Sequence, residues 1–239
     1  MNTRFLLLCV STLLAAGSTR AANAPRLPAG YKLLYEQNFT KPDAMKDFIF
    51  TDPSAWRLAK EQDKPALELH KQSAYKPEHR SPLNIALIAD KVFGDFVMEL
   101  DILSTKKPYP HQSMCLFFGF TGPMGYYYNH IAVAADPNAH NVFIVNNAPR
   151  KNIAKETTKG ITWGERVWHK VRAERDTQAG TYKLFFNDLA KPIMLMEDKT
   201  FGKGNIGFGS FDDIGMVTSI KIWGPSVEAK KTEFFKRAE

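Results

Sequence analysis

The feature that most constrains this chain is a two-residue alternation that never lengthens into a helical period. In "DFVMELDI" (residues 95–102), Phe96, Met98, Leu100 and Ile102 alternate with Asp95, Val97, Glu99 and Asp101. Successive strand side chains point to opposite faces, so this segment has one apolar and one mostly polar side. Comparable short runs follow one another, among them "KLLYEQNF", "WRLAK", "ALELH", "LNIALIA", "QSMCLFFGF", "WHKVRAER", "YKLFFND", "PIMLME", "NIGFGSF" and "TSIKIWG", separated by Pro, Gly, Asn and Asp. About a dozen strands with closely spaced turns predict an all-β fold, an antiparallel β-sandwich or jelly roll. Of the 239 residues, 44% are hydrophobic, enough for one sizeable core and a single domain, placed here over residues 31–224.

The two ends read differently. Residues 1–21 have the pattern of a signal peptide: Arg4 supplies a basic start, "FLLLCVSTLLAA" an apolar run, and Thr19-Arg20-Ala21 a small-x-small cleavage site. The run is short of the roughly 20 residues that a bilayer-spanning helix needs, so no membrane insertion is expected of the mature form. The expectation is an exported protein, periplasmic or extracellular, with a linker at residues 22–30. The tail over residues 225–239, containing "SVEAKKTEFFKRAE", is charged and is expected to form a short helix or to fray. Losing Arg4 and Arg20 lowers the net charge from +7 to +5. The basic residues are scattered, which argues against nucleic acid as a partner. Cleavage also removes Cys9 and leaves Cys115 alone, so no intramolecular disulfide forms; within "SMCLFFGF" it is expected to be buried and inert.

Residues 126–150, "YYYNHIAVAADPNAHNVFIVNNAPR", read as a hairpin carrying an excess of aromatic, amide and histidine side chains. With residues 136–139 as a four-residue loop, Ala135 opposes His140 and Asn129 opposes Asn146. One face then holds Asn129, Ile131, Val133, Ala135, His140, Val142, Ile144 and Asn146, apolar in its middle as a core face should be. The other holds Tyr128, His130, Ala132, Ala134, Asn141, Phe143, Val145 and Asn147, with small alanines leaving volume above the sheet. Such a mixture suits a carbohydrate, whose C–H faces pack on rings while its hydroxyls need fixed donors and acceptors. Tyr128, Asn147, Arg150 and Phe143 are the expected substrate contacts, and Trp163 an expected stacking wall. The competing reading is an amphipathic outer face without a ligand. His130 and His140 fall on opposite faces in this register and do not share a zinc ion.

Two further stretches, "WHKVRAERDTQAGTYKLFFND" and "GKGNIGFGSFDDIGMVTSIKIWG", resemble the C-terminal half of the bacterial secreted 3-keto-disaccharide hydrolase-like domain, within the concanavalin A-like lectin/glucanase superfamily. The resemblance runs loosely from Tyr31 to Gly224 and rests on structural motifs. It implies a concanavalin A-like jelly roll and a secreted carbohydrate-active protein. If that protein is an enzyme, it implies cleavage of a 3-keto-glycoside, with His130 as the catalytic base and Arg150 or a metal stabilising the enolate oxygen. The alternatives are a non-catalytic lectin-like module using the same groove and a structural module of the cell envelope. Family 16 glycoside hydrolases share this architecture, and "ELDILS" is similar to their Glu-x-Asp-x-(x)-Glu strand; Leu103 and Ser104 stand where the third carboxylate belongs. The fold also implies a structural calcium ion near "SFDDIG", with Asp212 or Asp213 and Glu36 as ligands. An Asp capping its own turn explains the same residues.

Overall fold

A computed structural model of the protein describes residues 27–238, so the expected leader and most of the linker after it lie outside the described residues. In chain order the described residues form β1 (Lys32–Gln37), β2 (Phe48–Phe50), β3 (Trp56–Glu61), β4 (Lys64–Leu69), β5 (Asn84–Ile88), β6 (Lys91–Phe93), β7 (Phe96–Ser104), β8 (Ser113–Gly122), β9 (Gly125–Ala132) and β10 (Asn141–Asn146). There follow β11 (Lys151–Asn152), β12 (Ala154–Thr157), β13 (His169–Asp176), β14 (Thr181–Phe186), β15 (Met194–Glu197), β16 (Asn205–Ser210), β17 (Gly215–Gly224), β18 (Val227–Ala229) and β19 (Lys236–Arg237). Helical structure among them is limited to single 3₁₀ turns at Ala44–Asp47 and Pro53–Ala55.

Two large antiparallel sheets face each other. The first runs β12-β15-β14-β13-β7-β17-β4-β3, with β1 also paired to β17; the second runs β11-β10-β9-β8-β16-β5-β2-β19. β4 and β1 share one edge of β17, β4 along Gly215 to Val217 and β1 along Ile220 to Gly224. The change of partner coincides with a bulge at Ser219, whose φ is +54°, as expected where an extra residue bends a strand.

The alternation of β7 has the predicted outcome. Phe96, Met98, Leu100 and Ile102 enter the core between the sheets. On the outer side Glu99 is bound by Arg172 at 3.1 Å and Asp101 by Lys64 at 2.9 Å. The "ELDILS" carboxylates are therefore ion-paired on the outer surface of the first sheet.

The inner strands of the second sheet are buried on both faces. Met114, Leu116, Phe118, Tyr127, Ile131, Val142 and Ile144 point into the core, while Cys115, Phe117, Tyr126, Tyr128, Phe143 and Val145 form a second apolar cluster on the outer face. This double burial is why β8 reads as an unbroken apolar run rather than an alternating one. Cys115 lies within it as a free thiol whose pKa burial pushes well up. The outer cluster is capped by Phe211, which follows β16, and by Phe234 and Phe235 of the tail, the last two packed 5.9 and 5.8 Å from the Phe120 ring.

The tail therefore neither frays nor forms a helix. β18 pairs with β6 and β19 with β2, and Arg237 and the Thr232 N–H both bind the Asp90 carboxylate, at 2.7 and 2.9 Å. The apolar pair Phe234-Phe235 gives the charged segment something to bury.

The hairpin faces partition as predicted, but the register is displaced by four residues. His130 pairs with Asn141, Tyr128 with Phe143 and Gly125 with Asn146. Residues 132–135 leave β10 for other partners: the Val133 N–H binds the Gln112 carbonyl, the Ala135 N–H that of Lys159, and the Ile161 N–H that of Ala132. Because the displacement is even, the same side chains stay on the same sides.

Candidate functional site

The outer face of the second sheet brings together most of the polar and aromatic excess of residues 126–150. Across β8, β9 and β10, Phe117 pairs with Tyr128 and Tyr128 with Phe143; the neighbouring rung is Cys115, His130 and Asn141. The Tyr128 ring stacks on Phe143 at 5.1 Å, and Phe211 closes over both Tyr128 and His130, at 6.0 and 5.1 Å. Phe211 is held there by its carbonyl, which accepts from the Asn84 side chain at 2.9 Å and that of Gln72 at 3.1 Å.

Arg150 follows the turn after β10 and lies back across this face. Its guanidinium is 5.2 Å from the Phe143 ring and 4.6 Å from that of Phe211, a double cation–π arrangement. Its edge donates to the Tyr128 hydroxyl at 3.1 Å and to Asn138 Oδ1 at 3.2 Å. Asn138 serves both polar groups, because its backbone carbonyl accepts from His130 Nδ1 at 3.0 Å. A carbonyl can only accept, so Nδ1 carries the proton and Nε2 is left as an acceptor. Burial pushes the His130 pKa down to about 4, and the Arg150 charge adds to the effect. The imidazole is neutral near pH 7 and weak as a base. Burial likewise raises the Tyr128 hydroxyl well above its ordinary value.

Beside Phe211 opens a cleft of about 470 Å³, bounded by the 73–83 loop and by Phe211 and Asp212. That size lies within the range of small-molecule sites. Tyr75, Lys76, Arg80 and Ser81 line it. The loop is anchored by the Ser73 N–H on Asn84 Oδ1 at 2.7 Å and the Ala74 N–H on Asp52 Oδ2 at 3.1 Å. Tyr75 makes an edge contact with Phe235 of the tail at 5.6 Å. The cleft thus combines ring faces, donors and one carboxylate.

Several expected site residues belong elsewhere. Tyr128 and Phe143 are on the expected face but have 0% and 1% exposure, so they support the site from beneath rather than lining an open groove. The alanines leave no groove either: Ala132 is buried at the end of β9 and Ala134 lies in the following loop. Asn147 sits at the far end of β10, exposed, with φ of +50° and its N–H on the Met124 carbonyl, away from Tyr128. Trp163 is buried in the main core against His169 and Phe186, at 5.5 and 5.4 Å, and walls no site on the outer face.

The expected calcium ligands are not assembled. Asp213 is fully buried, with its carboxylate accepting from the Tyr109 hydroxyl at 2.7 Å and from Ser113 through N–H at 2.7 Å and hydroxyl at 3.0 Å. Glu36 pairs with Lys221, toward the opposite end of β17 from Asp213, roughly 25 Å away at the strand rise per residue. Asp212 is exposed at the rim of the cleft. Among the described residues no three His, Cys, Asp or Glu side chains converge as a metal site. Asp213 instead ties β8 to the β16–β17 connection, closer to the capping alternative.

Sequence reasoning missed Phe211, Asn138, Tyr75 and Arg80. The signal for the last two was "KQSAYKPEHRSP", a polar run between two strands that is too long for a turn.

Comparison of the chain with models of known protein families found no match, and comparison with curated proteins found none either. Solved structures do match. Peanut lectin superposes with a TM-score of 0.55 at 12% identity, covering 84% of this chain and 99% of the lectin. The carbohydrate-binding module CBM66 from Bacillus subtilis gives 0.51 at 16% identity over 77% of this chain and 96% of the module. A Bacillus subtilis protein of unknown function with a galectin-like fold gives 0.50 at 13% identity, over 85% and 100%. The chain shares with these structures the fold of an antiparallel, concanavalin A-like jelly-roll β-sandwich. This likeness is one of fold, and it does not single out the narrower 3-keto-disaccharide hydrolase-like resemblance.

Proposed function

We propose that the protein binds a saccharide on the outer face of the second sheet, in the cleft between the 73–83 loop and Phe211. The observation that carries this reading is the cleft itself: about 470 Å³ bordered by the Tyr75 and Phe211 rings and by Lys76, Arg80, Ser81 and Asp212, with Arg150 and His130 packed against Phe211 outside the lining. Sugar recognition needs ring faces beside fixed donors and acceptors. The fold is shared with a lectin and a carbohydrate-binding module, which supports the same reading. Export by the residue 1–21 leader would put such a protein where polysaccharides are met, and mass spectrometry of exported material is expected to find Ala22 or Asn23 at the N-terminus.

Cleavage of a 3-keto-glycoside with His130 as base is the finer form of this proposal. It draws less support, since a histidine held near 4 is a poor proton acceptor at neutral pH. The test is an oligosaccharide array followed by calorimetry on hits, with Phe211→Ala as the site variant. Binding that falls at least about ten-fold in the variant, with no product from 3-keto-glucosides, fits the binding reading. No bound glycan, or binding indifferent to Phe211, would remove it. Turnover lost in His130→Gln would restore the catalytic form.

A further inference from the structure

Among the described residues, every arginine but two is either ion-paired to a carboxylate or enclosed by backbone carbonyls. Among the described residues, Arg57 is paired with Glu68, Arg166 with Glu61, Arg172 with Glu99 and Glu174, and Arg237 with Asp90. Arg175 is wrapped by the backbone carbonyls of Gly180, Asp198 and Phe201. The two that remain are Arg80 and Arg150. Neither has a carboxylate within ion-pair distance among the described residues, and both are near Phe211: Arg80 lines the cleft that Phe211 borders, and Arg150 lies over its ring.

Arg150 is the more telling of the two. It is partly buried, its flat faces are against two phenyl rings, and its only hydrogen bonds go to neutral acceptors, the Tyr128 hydroxyl and the Asn138 amide. A guanidinium has five N–H donors in a rigid fork suited to a carboxylate or a similar oxyanion, and these two bonds leave part of that capacity unused. A partly buried cation without a counter-charge is a favourable partner for an incoming anion. Lys76 and Arg80 add two positive charges to the cleft lining against the single carboxylate of Asp212. Neutral His130, packed against Phe211, adds no charge of its own beside Arg150.

We infer that the saccharide taken by this cleft is an acidic one, carrying a carboxylate or sulfate group that is met by Arg80 in the cleft lining and by Arg150 where it emerges beside Phe211. The inference rests on the saccharide-binding reading and narrows it to a chemical class. Aromatic walls take the sugar ring, and the arginine pair takes the acid.

The test is calorimetry of the full-length mature chain against three oligosaccharides of equal length: a uronic acid oligomer, a sulfated oligomer and the neutral parent. Each is titrated at low and at high salt. At least one acidic oligomer is expected to bind ten-fold or more tightly than the neutral one, as a charge-assisted hydrogen bond would give, and to weaken with salt. The arm that binds identifies the acid group. Arg150→Gln and Arg80→Gln are each expected to lose about ten-fold on the acidic ligand and little on the neutral one, with Arg150→Lys recovering part of the loss. Arg80 is exposed, so its variant keeps the test valid if Arg150→Gln proves unstable. Equal affinity for neutral and acidic oligomers overturns this inference and leaves saccharide binding standing. No binding of any of the three, together with a blank array, overturns both.

Discussion

Acid should destabilise this protein before its carboxylates titrate, and His140 shows why. It is fully buried, at φ of +50°, with Nδ1 accepting from the Ala132 N–H at 3.3 Å and Nε2 bonded to the Thr158 hydroxyl at 2.9 Å. Because the Ala132 group can only donate, Nδ1 must be unprotonated. Protonating it would set one N–H against another in a dry site. Burial accordingly pushes the pKa from 6.5 to about 4. The unfolded chain then binds more protons than the folded one between these values, so stability is full above about pH 6.5 and is lost as pH falls toward 4. At 1.36 kcal/mol per pKa unit the loss from pH 7 to 4 is about 3 kcal/mol for this side chain. The discriminating variant is His140→Asn, because Asn tolerates positive φ and its Oδ1 can accept the Ala132 N–H without titrating. Urea melts at half-unit steps from pH 7 to 4 are expected to show a slope near pH 5 shallower than the parent's by about 1 kcal/mol per pH unit. The variant should be less stable at pH 7 by about 1 kcal/mol, for the lost Thr158 bond. An unchanged slope would refute the assignment of a neutral, acid-sensitive His140.

Three further outcomes follow from the packing. Tyr128→Ala is expected to cost roughly 3–5 kcal/mol in denaturant melts, since the ring is fully buried against Phe117, Phe143 and Phe211, whereas Tyr128→Phe should cost about 1 kcal/mol for the lost Arg150 bond; equal costs would contradict the buried placement. Gly160 has φ of +138°, and a Cβ there would run into the Val133 carbonyl, so Gly160→Ala should lose roughly 1–3 kcal/mol, and a neutral result would argue against the contact of this loop with residues 132–135. Truncation after Pro225 should expose Phe120, lower the melting temperature and raise binding of a hydrophobic dye; a truncated chain indistinguishable from the parent would mean that the tail does not cover the outer cluster.

The strand content and the faces were legible because they depend on neighbours in sequence. The alternation of Phe96, Met98, Leu100 and Ile102 specifies a side whatever the strand pairs with, and the hairpin faces survived a four-residue register error for the same reason. The register itself was not legible. It is set by Gly160, Lys159 and Ile161, which draw residues 132–135 away from β10. A tight turn at "DPNA" is present, in that Asp136 and Ala139 form an isolated bridge, but it closes only the tip of the loop.

What covers a sheet face is a longer-range matter still, and here the site reading went astray. Tyr128 lies on a face carrying Asn, His and Ala, and its local pattern is that of a solvated surface. Phe211 and the tail residues Phe234 and Phe235 come from distant parts of the chain, and they turn the same face into a second apolar cluster. The polar groups of that face survive at its margin only where each has a partner: Asn138 for His130 and Arg150, the Tyr128 hydroxyl for Arg150. Arg150 and Arg80, both beside Phe211, have no carboxylate partner among the described residues, so the cleft that Phe211 borders, rather than the tyrosine stripe, is where a ligand adds something the fold has not already supplied.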